Sequence, residues 1–191
     1  MKGELMKIQF KRFFSVDSAK AAKGLSFGAF NGINYMAPEK RNGLGVNLCL
    51  GSSAGCRALC LGHYSGQSAM VSDIENDTNS VRLSRQRKAQ FWIQDPKTFL
   101  SEAEYHIDKL VNKARSMNLE PVIRMNGSTD IAFEDHGLIQ NFPSVQFVDY
   151  TKLYKRFKNR PDNLSLTFSR SETNEATARK LLERGENVAV G

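Results

Sequence analysis

Three cysteines, Cys49, Cys56 and Cys60, lie within one twelve-residue stretch of a 191-residue chain that has no others. Cysteine used as a small hydrophobe is scattered over several core elements. Thiols gathered in one segment have instead the makings of a ligand set, because a soft metal needs several sulfurs around one small centre. The spacing is C-x6-C-x3-C, and His63 follows three positions after Cys60. Ser53 is placed to cap a short helix from Ala54, on which Cys56 and Cys60 stand at i and i+4 and so share a face. Cys49 arrives on the Gly-rich segment 43–51, which is free to fold back towards that face.

Two metal chemistries compete for this cradle. Structural zinc takes four closed ligands, and Cys49, Cys56, Cys60 and His63 make a Cys3His set. A cubane iron–sulfur cluster spreads its ligands over a larger object and so suits the wide first gap. Three thiolates then hold three irons, leaving the fourth for a carboxylate such as Asp130 or Asp149, for His63, or for water or substrate. Thiols that are merely neighbours, two of them in a disulfide, are the third reading; the odd count and the lack of a signal-like N-terminus argue against it. We expect a [4Fe-4S] cluster, with zinc as the alternative.

Hydrophobic content of 40% and charged content of 25% place the chain among globular proteins, and its length is that of one domain. No apolar run reaches membrane-spanning length, so the expected compartment is the reducing cytoplasm of a host cell, with no membrane partner. A net charge of +7 favours an acidic partner such as nucleic acid, with a solvated basic surface as the equal alternative. Arg82, Arg85 and Lys88 share one face of a predicted helix over 81–93 and are placed to grip phosphates. No Gly-rich phosphate loop, nucleophile elbow or zinc-protease helix is present, which leaves the question of catalysis open.

The elements that must position these residues can be read from periodicity. Alternation over 5–14 predicts a half-buried strand, and 25–36 reads as irregular strand and loop. Asp95 and Pro96 start a long helix as N-cap and first residue, with an apolar stripe from Phe99 to Met117. Four short apolar strands follow at 122–125, 145–148, 164–168 and 187–190, separated by a turn near 133–139, a helix over 152–157 and a helix over 174–184 closed by Gly185. Strands alternating with helices predict an α/β fold, a parallel sheet or partial βα barrel. We read 1–191 as one domain, with an irregular part over 1–50, a cysteine-bearing metal loop over 49–63 and βα units over 121–191. Sites in such sheets form at the carboxyl ends of strands. Arg124 and Asn126, Asp149 and Lys152, and Ser169 and Arg170 follow three successive strands, and we expect a pocket for a small anionic ligand there. Helix caps and turns are the plainer account of the same residues.

Several short motifs together resemble a family. They are Arg57–Leu61 (RALCL) in the cysteine loop, Val122–Asp130 (VIRMNGSTD), Val148–Lys152 (VDYTK), Leu166–Ser171 (LTFSRS) and Asn187–Val190 (NVAV). In order, over roughly 34–191, they resemble the phage proteins called the gene product 88 family. The resemblance implies a phage or prophage origin. It carries the three cysteines onto Cys49, Cys56 and Cys60, and an arginine and an aspartate onto Arg124 and Asp130, but it does not carry His63. It also implies that the chain continues past its last strand, so a C-terminal piece is expected beyond Gly191. A three-cysteine loop beside a parallel βα sheet is similar, in part, to radical S-adenosylmethionine enzymes, whose cluster keeps one iron open for the cofactor. Their loop is C-x3-C-x2-C, which differs from the spacing here.

Overall fold

The structure, a computed structural model, describes residues 8–158 and 160–190. Five strands, β1 (Ala29–Ile33), β2 (Glu120–Arg124), β3 (Gln146–Thr151), β4 (Leu164–Ser169) and β5 (Asn187–Ala189), pair in chain order, and every pairing is parallel. Chain order is the order of staves in a βα barrel; a doubly wound sheet reverses direction partway across. Among the described residues the sheet stays open, with β1 and β5 at its edges.

The helices are α1 (Ala19–Ala22), α2 (Ala54–Ala58), α3 (Leu61–Tyr64), α4 (Ser80–Gln94), α5 (Pro96–Ser116) and α6 (Glu175–Glu183). The α5 helix starts as predicted: the Asp95 carboxylate accepts the Thr98 N–H and Pro96 occupies the first turn. Its stripe, Phe99, Ala103, Ile107, Leu110 and Ala114, is buried, and the helix packs on β1 and β2 while α6 packs on β4 and β5. The turn expected near 133–139 is a 3-10 turn, Phe133–His136, and the helix expected over 152–157 is also only a 3-10 turn, Tyr154–Phe157. No described helix is long and apolar enough to cross a membrane.

Burial alternates along the central strands. Ile123, Phe147, Asp149, Leu164, Leu166 and Phe168 face the core, while Gln146, Tyr150 and Ser165 are exposed. A parallel sheet covered on both faces reads as a continuous apolar run. This sheet packs α5 and α6 over its strands, with Phe133 and Phe157 of the 3-10 turns in the same core, and leaves alternate positions exposed.

The strand expected over 5–14 is not formed where the chain is described, and residues 5–7 lie outside the described part. Residues 8–14 run as an irregular arm. Instead of pairing with a strand, the N–H groups of Gln9 and Phe10 donate to the buried Glu102 carboxylate of α5, at 3.0 and 2.6 Å. Ser15 then makes a single antiparallel bridge with Ile33 of β1. The arm is held by a carboxylate and by its aromatic side chains, Phe10, Phe13 and Phe14, which is why its alternation mimics a strand.

Candidate functional site

The cysteine loop follows β1 and lies over the carboxyl ends of β2, β3 and β4. Four contacts hold it there. The Asp130 N–H donates to the Leu48 carbonyl at 2.9 Å. A Cβ on Gly51 would stand 2.6 Å from Lys152 Cβ, and one on Gly62 would stand 2.6 Å from Ser128 Cβ. Glu172, just beyond β4, accepts from the Ser53 hydroxyl and the Gly55 N–H, both at 2.9 Å. Approaches this close demand residues without a side chain, which explains glycine at 51 and 62.

Ser53 caps α2 through the Cys56 N–H at 3.2 Å. The helix then ends at Ala58, and Leu59 (φ −113°, ψ 29°) and Cys60 (φ −59°, ψ 108°) carry the chain into α3. The expected i, i+4 pair on one helix is therefore corrected: the chain turns between Cys56 and Cys60 so that Gly62 reaches Ser128. None of the three cysteines is in a disulfide, and each is partly buried. The thiols are within electrostatic reach of one another: Cys56 and Cys60 oppose ionisation of Cys49, and Cys56 opposes that of Cys60.

One sulfur receives a backbone donor: the Glu39 N–H donates to Cys49 Sγ at 3.3 Å, and that thiol faces the Ser128 carbonyl at 3.6 Å. Near Cys60, the N–H groups of Gly62 and His63 act to lower the thiol pKa. Burial outweighs these donors and pushes the Cys49 thiol up to about 12 and the Cys60 thiol upward. Donors aimed at sulfur fit a thiolate ligand, whose proton a metal would displace. Among the described residues, no three His, Cys, Asp or Glu side chains converge closely enough to hold one metal ion.

The three candidates for a fourth ligand all have partners. His63 Nε2 sits between Arg41 Nη1 at 2.9 Å and the Ile74 carbonyl at 3.0 Å, one of which it satisfies in either tautomer. Burial and the neighbouring Arg41 and Arg82 hold the His63 pKa below its usual value. Asp130 accepts from the Lys152 N–H at 2.9 Å and Arg156 Nη1 at 3.0 Å. Asp149 accepts from Asn126 Nδ2 at 2.5 Å and Arg156 Nη2 at 3.1 Å, and burial pushes its carboxyl up to about 6 against the pull of Arg156.

Arg156 joins the strand ends, and it was not among the residues singled out from the sequence. Its guanidinium also donates to both oxygens of buried Glu134, at 2.7 and 3.0 Å, so one cation serves three carboxylates. The structure brings Arg124, Asn126, Asp130 and Asp149 together around it, with Arg124 Nε 4.0 Å from Asp149. The space beside Glu134, Asp149 and Arg156, beneath these strand ends, does not admit a water molecule. Lys152 Nζ donates to the Ser169 carbonyl at 3.2 Å, and Arg170 pairs with Glu175 at the surface. One signal of the network was present in the sequence. Asp149 falls on the inward phase of β3 between Phe147 and Thr151, and a carboxylate in that position requires a cation.

The basic face of α4 is also corrected. Arg82 donates to the carbonyls of Ser68, Ile74 and Asp77 at 2.6, 3.0 and 2.7 Å, and Arg85 donates to that of Gly62 at 2.6 Å. Lys88 is buried and donates to the Phe13 carbonyl at 2.9 Å and Asn34 Oδ1 at 3.1 Å. Lys88 therefore leaves the expected row, while Arg82 and Arg85 tie the segment before α4 to the helix and line the space beside it.

Fold and site define an α/β protein with an open, chain-ordered parallel sheet and a three-cysteine loop seated on its carboxyl edge. The chain belongs to the Gene product 88 family, a phage family whose model matches residues 11–191 and so includes most of the N-terminal arm as well as the sheet. No curated protein matches the chain, and no solved structure does either.

Proposed function

We propose that the protein is a phage iron–sulfur protein in which Cys49, Cys56 and Cys60 hold a [4Fe-4S] cluster with one iron open to an exchangeable ligand. The observation that carries this reading is the seating of all three thiols in one loop clamped over the strand ends, with the Glu39 N–H directed at Cys49 Sγ. Support for an open iron comes from the prior engagement of His63, Asp130 and Asp149 by arginines and backbone groups. When bound, such a cluster supplies electron transfer or a Lewis-acidic iron. The chain's own residues would fix the sulfurs, exclude water from the Cys49 side and keep Asp130 and Asp149 out of the cluster's coordination.

Anaerobically prepared protein is expected to be brown, to absorb broadly near ~400 nm and to contain iron and sulfide in equal amounts, about four of each per chain. Cys49→Ser, Cys56→Ser and Cys60→Ser should each lose the colour, whereas His63→Ala, Asp130→Ala and Asp149→Ala should retain it. Colourless protein with one zinc per chain would decide for the Cys3His alternative.

A second reading, a radical S-adenosylmethionine-like enzyme, is favoured by one observation: the cysteine loop lies in the connection after β1 of a parallel sheet whose strands run in barrel order. Its test is whether S-adenosylmethionine alters the electron paramagnetic resonance spectrum of the reduced cluster. An unchanged spectrum would leave a structural or electron-transfer role.

A further inference from the structure

Between the cysteine loop and α4 lies a cleft of about 340 Å³, within the size range of small-molecule pockets. Four cations, Lys40, Arg41, Arg82 and Arg85, line it against two carboxylates, Glu75 and Asp77. Of these cations only Arg41 is paired with a carboxylate among the described residues. Glu75 accepts the Tyr64 hydroxyl at 2.6 Å and lies 3.9 Å from Arg41, and Asp77 accepts the Asp73 N–H at 2.9 Å. Arg82 and Arg85 have no carboxylate partner among the described residues; both are partly buried and bonded to carbonyls. Arg85 uses only Nη1 on Gly62, and its guanidinium is stacked 4.8 Å above the Tyr35 ring, which holds the fork in place. A guanidinium partly withdrawn from water, fixed in orientation and lacking an anion is costly unless an anion arrives.

We infer that this cleft binds a small molecule through an oxyanion, a carboxylate or phosphate, held by Arg85, while Arg41, whose two Nη groups already reach His63 and the Tyr64 hydroxyl at 2.9 and 2.8 Å, adds its charge. The planar fork of arginine matches both groups with paired N–H donors. Gln86, on the same wall, adds a neutral amide for the rest of the ligand, and exposed Lys40 draws the anion to the mouth. The site lies away from the filled strand-end network and touches the cysteine loop through Gly62 and His63. It does not rest on the cluster, so the two proposals fail separately.

The test is calorimetric titration of the full chain, as purified, with inorganic phosphate and in parallel with succinate at low ionic strength. Saturable binding at one site per chain is expected for at least one probe. Arg85→Gln should weaken it about tenfold or more, as loss of a charged hydrogen-bond partner does. Lys97→Gln, on the exposed start of α5, should leave it unchanged. If Arg85→Gln fails to fold by circular dichroism, Lys40→Glu at the mouth serves instead and should also weaken binding. Absence of saturable binding by both probes, or equal affinity in a folded cleft variant, would overturn the assignment. So would a single-stranded oligonucleotide that displaces phosphate and depends on Arg85, because the site would then belong to a nucleic-acid surface.

Discussion

Lys88 shows how far a single residue can depart from its local pattern. It continues a basic run on α4, yet its amine lies between Phe13 and Asn34, and burial, with Arg85 nearby, lowers its pKa to about 7. Between that value and the free value of 10.5 the unfolded chain holds a proton that the folded chain has released. Stability contributed through this residue therefore rises with pH across that window, and the cost of burying the charge is greatest below it. Chemical unfolding at pH 7, 8 and 9 should show the wild type gaining on Lys88→Met by up to about 1.4 kcal/mol per pH unit. Parallel slopes would mean that the amine stays charged in the fold. Arg156 makes the same point with opposite chemistry: its three carboxylate partners are 26, 22 and 7 residues away along the chain, and only the fold brings them together.

At the scale of elements, the cysteine loop depends on clamps from outside itself. The α2 helix is five residues long and has no buried residue, so its own propensity cannot hold it. Ser53 supplies the cap, and Glu172 binds both that serine and the Gly55 N–H. Those hydrogen bonds also keep the Glu172 carboxyl below its usual pKa. Glu172→Ala should accelerate amide hydrogen exchange over 53–60 severalfold while leaving β2, β3 and β4 protected, and it should reduce cluster yield under identical preparation. Unchanged exchange in the loop would show that Gly51 and Gly62 packing suffices. The break at Leu59 belongs to this scale too. Local signals favour a continuous helix through Cys60, and the contact of Gly62 with Ser128 overrides them.

For the whole molecule, the N-terminal arm completes the core. Phe13 is 1% exposed and packs against Phe10, Phe14, Phe99 and His106. Its carbonyl receives Lys88, and Glu102 holds the arm's backbone, so arm, α4 and α5 form one cooperative unit. Phe13→Ala is expected to lower the unfolding free energy by ~3–5 kcal/mol in urea titrations. A loss below ~1 kcal/mol would show that the arm is a cover that opens without disturbing the core.

Much of the architecture was determined by the sequence alone. Asp95 and Pro96 set the start of α5, the 3.6-residue stripe set its buried face, and short apolar runs between turns marked β2 to β5. Their alternation with helices and turns implied parallel pairing, because parallel neighbours require a crossover. The clustering of Cys49, Cys56 and Cys60 was equally plain. These features are written in neighbouring residues and survive without any knowledge of the fold. Only the tertiary structure decided which of the 27 lysines and arginines turn inward. It sent Arg156 into the strand-end carboxylates, Lys88 under the arm and Arg85 to the wall of a cleft. It also converted the Leu5–Phe14 alternation into an arm on Glu102 where that segment is described. A charge turns inward when a distant partner repays its desolvation, and no local pattern records where that partner will be.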